Sequence, residues 1–248
     1  MNHPIKILAA AAAVAALLAV PASADSKRFG LTGFDTVDIR GDMIVEIVDA
    51  APVRAEAEGS RSTIETLSVE VQERTLIIRQ LSDGPYGPRR AGEPPANIRI
   101  NARGLSRLIV RGGGRVTANG LRGEQVIVTL DGAGTVDARN IAAARLDVRA
   151  AGQGSVTVSG RARSMSAVNS GAATIVGQGV VPRDLTVRSN GAGVGTYAAS
   201  GTARVDALGE GNITVTGRAR CTVRNVGAGT VECGPTARSP LPTTADTE

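Results

Sequence analysis

Glycine recurs along the second half of the chain at an interval that an ordinary loop-and-core domain does not produce. Gly112, Gly132, Gly152, Gly171, Gly191, Gly209 and Gly227 are spaced by 20, 20, 19, 20, 18 and 18 residues. A second glycine follows two positions later in every unit except the one that carries Ala173. Four residues before each first glycine stand Leu108, Val128, Val148, Ala167, Val187, Val205 and Val223. Four residues after it stand Val116, Val136, Val156, Ile175, Gly195, Ile213 and Val231. Arginine, aspartate and threonine fill the alternating positions, so each unit reads as strand, tight turn, strand, with one face inward and one outward. A single unit of this length cannot bury its apolar face, whereas stacked copies share one continuous core. The predicted fold is therefore all-β, a β-solenoid with about 18–20 residues per repeat.

Composition supports an aliphatic interior. The chain has two Phe, two Tyr and no Trp among 248 residues, but 31 glycines. An outer-membrane barrel needs aromatic girdles and a lipid-tolerant outer face. Here the outward positions hold charges at every level, so the aliphatic face must point into protein. Residues 25–81 show the same alternation less regularly, as in Val37, Ile39 and Ile47 or Ala55 and Ala57. The sequence thus divides into irregular N-terminal strands (25–81), a Pro/Gly-rich loop (82–97) with Pro85, Pro88, Pro94 and Pro95, regular repeats (98–234), and a tail (235–248) expected to be disordered.

The first 24 residues read as a removable export signal. A basic start, a 14-residue apolar run from Ile7 to Val20 and the small-x-small pattern Ala22-Ser23-Ala24 predict cleavage between Ala24 and Asp25. The apolar run is short of the roughly 20 residues a membrane span requires. After signal removal no membrane span remains, and the expected location is the periplasm or the cell surface or extracellular space. Cleavage also removes His3, the only histidine, and Lys6, so the net charge falls from +5 to +4. Without histidine there is no Ser-His-Asp or Cys-His relay and no imidazole for a metal. No cofactor and no metal are expected. The basic residues, nearly all arginine, are spread without a dense block, so nucleic acid is not an expected partner.

The stretches FDTVDIRGDMIVEIVDA, APVRAEAEG and LSVEVQERTLIIRQ, followed by DGAGTVDA, SNGAGVGTY and VGAGTVECG, resemble the putative auto-transporter adhesin, head GIN domain family over roughly residues 29–234. The resemblance implies a right-handed single-stranded β-helix in an exported bacterial protein, with no catalytic residues to carry over. With only 15 residues after Cys233, no translocating barrel is expected in this sequence.

Four features are candidates for chemistry. Cys221 and Cys233 lie six residues either side of Gly227, both on inward parity, and in an oxidising compartment they are expected to form a disulfide rather than two free core thiols. Arg149, Arg188 and Arg224 share one outward column and are candidates for binding anionic ligands, with Asp147, Asp184 and Asp206 expected to compete for them in a solvated salt-bridge ladder. Outward threonines such as Thr117, Thr135 and Thr157 hop between two columns and read as ordinary solvent-facing strand residues. Scattered carboxylates leave an alternative reading, a carbohydrate-active enzyme acting on an acidic polysaccharide, whose mark would be an Asp/Glu cluster converging in a groove. The expected function is a non-enzymatic recognition or adhesion-like scaffold of the cell envelope or surface, with anionic envelope glycans or another surface protein as partner. A monomer is expected, closed at the C-terminal end by the cysteine pair and the prolines of the tail. Its N-terminal end has only Phe29 and Phe34 as a cap.

Overall fold

The computed structural model describes residues 25–81 and 93–234. The leader with its Ala24–Asp25 junction, Pro85 and Pro88, and the tail 235–248 fall outside the described residues.

The chain is a β-solenoid with two long faces that meet at the glycine turns. One face stacks, in parallel register, β8 (Arg107–Arg111), β10 (Arg122–Gly132), the second half of β11 (Thr135–Gly152), the second half of β12 (Ser155–Gly171), β14 (Asp184–Asn190), β16 (Thr202–Leu208) and β18 (Arg220–Val226). The other face stacks β9 (Arg115–Asn119), the first halves of β11 and β12, β13 (Thr174–Gly179), β15 (Val194–Ala199), β17 (Ile213–Gly217) and β19 (Val231–Cys233). β11 and β12 are long because each runs down one face, turns the corner and continues along the other. Their register puts Val128, Val148, Ala167, Val187 and Val205 in a single column, and all are buried. Val116, Val136, Val156 and Ile175 form the facing column, also buried. The inward parity expected from the repeat is thus the parity of the core.

Tyr197 shows how the regular repeats admit an aromatic residue to their interior. It is 1% exposed, and its ring lies where side chains at Gly177 and Gly195 would be, since a Cβ there would come within 2.9 and 2.5 Å of ring atoms. Gly195 breaks the valine–isoleucine column for that reason. Burial pushes the Tyr197 phenol well above the ordinary tyrosine range.

The N-terminal strands belong to the same stack, but out of chain order. β2 (Thr36–Arg40) and β3 (Ile44–Asp49), joined through Gly41, pair in parallel with β8 and β9 on one side. On the other side they pair with β6 (Thr75–Gln80) and β7 (Asn97–Ala102). The segment 81–96 therefore links the two strands of the outermost parallel layer. Antiparallel strands finish this end: β4 (Arg54–Gly59) on β7, β1 (Asp25–Gly30) on β4, and β5 (Leu67–Gln72) on β6. A single-turn helix, α1 (Arg61–Glu65), is capped by Ser60, whose side chain accepts a hydrogen bond from the Thr63 amide at 3.2 Å. It buries Ile64 in the core that also holds Phe34 and Leu67, all 5% exposed. The N-terminal end is consequently closed over its apolar interior by a helix and strands that the glycine pattern does not announce.

The C-terminal end corrects the expectation that it is covered. Cys221 and Cys233 do form a disulfide, with Cα atoms 6.3 Å apart. Yet every residue of β18 is exposed, including inward-parity Cys221, Val223 and Asn225, because among the described residues no further layer follows. The bridge crosses the last layer without covering it. Replacing both cysteines by serine is expected to remove about 2–3 kcal/mol from this layer alone, since a 12-residue loop is closed and a solenoid loses stability locally. Hydrogen exchange should show lost protection in β18 and β19 with β11 and β12 unchanged; a uniform loss along the rod would contradict local anchoring.

Candidate functional site

The outward columns of the β10–β18 face carry the arginines singled out above. Arg149 neighbours Val168 on the next layer, Val168 neighbours Arg188, Arg188 neighbours Asp206, and Asp206 neighbours Arg224. The three arginines are thus two layers apart, roughly 9–10 Å at the usual strand spacing, with a valine and an aspartate between them. All three are exposed and none has an ion-pair partner among the described residues.

The expected salt-bridge ladder forms only in part: Asp147 and Asp206 pair with Arg145 and Arg204 of their own strands, and none of the three aspartates reaches Arg149, Arg188 or Arg224. Asp147, 4% exposed, accepts from Gln125 Nε2 at 2.5 Å and Arg145 Nε at 3.2 Å. Asp184 accepts from the Thr202 hydroxyl at 2.7 Å. Asp206 faces its own strand's Arg204 at 3.9 Å. On a strand, residues i and i+2 share a face, so an Arg-x-Asp triplet satisfies itself and leaves the next arginine of the column unpaired. Beyond this column, Arg161, Arg163, Arg183, Arg218 and Arg220 are likewise exposed and without ion pairs among the described residues.

The N-terminal half behaves oppositely. Its arginines are largely paired: Arg28 with Glu56 at 3.0 Å, Arg99 with Glu46 at 2.9 Å, Arg74 with Asp35 at 2.8 Å. The hydrogen bond from Arg74 holds the Asp35 carboxyl below the usual carboxylate range. Asp38 is the extreme case, 4% exposed beneath Arg40 at 2.8 Å and Arg111 at 2.5 Å. The unpaired positive charge is therefore concentrated in the second half.

One recess carries several carboxylates, lined by Glu46, Glu56, Glu58, Asn97 and Arg99, with a volume of about 230 Å³. Cross-strand register explains it, as Glu46, Arg99, Glu56 and Arg28 stand on successive strands β3, β7, β4 and β1. Two of its three glutamates are neutralised by the arginine beside them. No aromatic residue lines the recess, and no group of three metal-ligating side chains exists among the described residues. Tyr197 is in the core and Phe29 is partly buried, so neither is placed as a sugar platform. The outward threonines fall in two columns, as read from sequence; Asp137 and Val176 interrupt one, Val194 and Asn212 the other, so they form no continuous array.

Sequence reasoning missed the inward asparagines. Asn169 and Asn225 each donate from Nδ2 to a carbonyl across the turn, at 2.6 Å to Ala173 and 2.7 Å to Gly229. Both stand two residues before the first glycine of their unit, which is the signal that would have found them. Asn169 Oδ1 is buried without a hydrogen-bond partner among the described residues.

Comparison with known proteins places this arrangement among others. The family model described as putative auto-transporter adhesin, head GIN domain, matches residues 33–219. A putative adhesin from Bacteroides fragilis NCTC 9343 superposes with a TM-score of 0.77 at 18% identity, over 85% of this chain and 97% of that one. A putative adhesin from Parabacteroides distasonis ATCC 8503 gives 0.62 at 18% identity, over 86% and 98%. A putative lipid binding protein from the same organism gives 0.63 at 14% identity, over 86% and 97%. At these identities the likeness is one of fold. Comparison with curated proteins gave no match.

Proposed function

Because the chain belongs to the putative auto-transporter adhesin, head GIN domain family, we propose that it is an exported, non-enzymatic adhesion-like scaffold whose second half recognises anionic envelope glycans. The observation that carries this reading is the unpaired state of Arg149, Arg188 and Arg224 on a rigid face. Their spacing lets successive guanidinium groups meet successive carboxylate or phosphate groups of an extended polymer, and each can bind in bidentate fashion. An interior shared by all layers fixes the column, so little order is lost on binding. The leader supports export, and the scarcity of exposed aromatics favours charge over stacking as the mode of recognition.

The test is binding to a carboxylated polysaccharide such as polygalacturonate, with a neutral glucan beside it. Replacing Arg149, Arg188 and Arg224 together by alanine should weaken affinity about 10- to 100-fold, since contacts to charged groups contribute roughly 0.5–1 kcal/mol each when exposed. The unchanged chain should bind more weakly as salt rises. Equal affinity for the variant, or preference for the neutral glucan, would overturn the assignment. The Glu46–Glu56–Glu58 recess is the one place a hydrolase reading would look, and the same incubation should leave the polymer's length unchanged.

A further inference from the structure

The two ends of the solenoid are unequal. At the N-terminal end Ile64, Phe34 and Leu67 close the core, and the outermost strands β1 and β5 carry Lys27, Arg28 and Glu70. At the C-terminal end no layer follows β18 and β19 among the described residues. Val223 and Val226 are 43% and 52% exposed, and among the described residues β18 and β19 pair only on the inner side, with β16 and β17. A seven-residue strand with a free row of amides and carbonyls, beside an uncovered apolar column, is a template for another strand.

We propose that this end pairs with the same end of a second copy of the chain, β18 running antiparallel to β18 of the partner subunit about Val223. Three observations select this occupant. First, residues 235–248 include Pro235, Pro240 and Pro242, which lack the amides needed to continue a ladder along β18. Second, the closed N-terminal end offers no complementary open core, so head-to-tail growth is blocked and the association stops at a two-fold dimer. Third, the last layer is symmetric about the required axis. Cys221 is bonded to Cys233 across the layer and Asn225 to the Gly229 carbonyl, so Val223 and Val231, midway between these pairs, stand opposite each other and one axis perpendicular to both faces runs through the pair. Each valine then meets its own copy, and the two cores become one.

The same register separates like charges. Thr222 lies opposite Arg224 of the partner subunit, Arg220 opposite Val226 of the partner subunit, and Cys221 opposite Asn225 of the partner subunit. Four arginines nevertheless gather near the seam, so salt should strengthen association instead of weakening it. The contact is small. A strand of seven residues spans about 23 Å and the two faces lie about 10 Å apart, so each copy covers only roughly 230 Å², below the usual range of stable specific interfaces, and the dimer is weak and reversible.

Sedimentation equilibrium of the intact chain, tail included, tests this over a range of concentrations and salt. The expected result is a monomer–dimer equilibrium that tightens with salt. Val223→Lys should weaken it at least tenfold without altering the melting temperature, since Val223 is exposed in the monomer. Val226→Glu should tighten it severalfold at low salt by facing Arg220 of the partner subunit, while Val226→Lys should weaken it. A chain ending at Gly234 should dimerise as the intact chain does. The proposal is overturned if the intact chain stays monomeric throughout, if only the truncated chain associates, if species larger than dimers form, or if the Val223 and Val226 variants associate like the unaltered chain.

Discussion

Val136→Asp is expected to lower stability by about 3–5 kcal/mol and the melting temperature by on the order of 10 °C, while Thr135→Asp next to it changes stability by less than about 0.5 kcal/mol. Val136 is fully buried between Val116 and Val156, so a carboxylate there has no partner and no water. Thr135 is exposed, with Arg115 and Ser155 as its lateral neighbours. An aspartate at 135 gains a guanidinium within reach and offsets the modest loss of strand preference. Thermal denaturation of the pair decides the matter. A reversed order would mean that the inward column has been assigned to the wrong parity, because a one-residue slip exchanges the two faces, and similar losses would mean that the two positions do not differ in burial as the register requires.

Gly152→Ala is the second large effect. The residue has φ +99°, and an added Cβ would lie 2.5 Å from the Gly132 carbonyl oxygen. The obstacle is backbone of the adjacent layer, which cannot swing aside as a side chain does. Strain of this kind, added to the φ penalty, costs about 3 kcal/mol or more. Gly104→Ala isolates the conformational part, because Gly104 has φ +69° with nothing within 4 Å of the added atom. It should cost only about 1 kcal/mol. Comparing the two melting curves separates crowding along the stack from the preference for positive φ. Equal losses would mean that the layers do not crowd at the turn.

The parity of the repeats was legible because it rests on two local rules, the period of two along a strand and the shared distance from a glycine. Val128, Val148 and Val187 needed nothing else. The placement of β2 and β3 was not legible. TVDIRGDMIVEIVD has the same strand, turn, strand pattern as any regular unit, and that pattern does not encode which unit lies above it. Helix α1 escaped notice because RSTIE is too short for helical periodicity, leaving only Ser60 as a start signal. The arginine column was read correctly as a column, since Arg149, Arg188 and Arg224 each stand three residues before a first glycine. Its freedom from ion pairs was not, because whether an aspartate turns to its own strand or to its neighbour depends on side-chain reach rather than register. The exposed C-terminal layer also ran against expectation: a disulfide on inward parity signals a core position only when another layer lies beyond it.

The displaced position of β2 and β3 has a consequence for how the rod comes into being. Their partners are residues 75–79 and 97–102 on one side and 107–119 on the other, so the first complete layer cannot close until much of the N-terminal half is available. Closing such distant segments is the slow step for a β-rich chain. From β10 onward each strand finds its partner one repeat earlier in sequence, and growth becomes a zipper on a finished template. A chain delivered N-terminus first thus assembles its seed once, late, and then adds layers as fast as they arrive. Truncation from the C-terminus shortens the rod one layer at a time, whereas loss of β8 and β9 removes the seed on which every later layer depends.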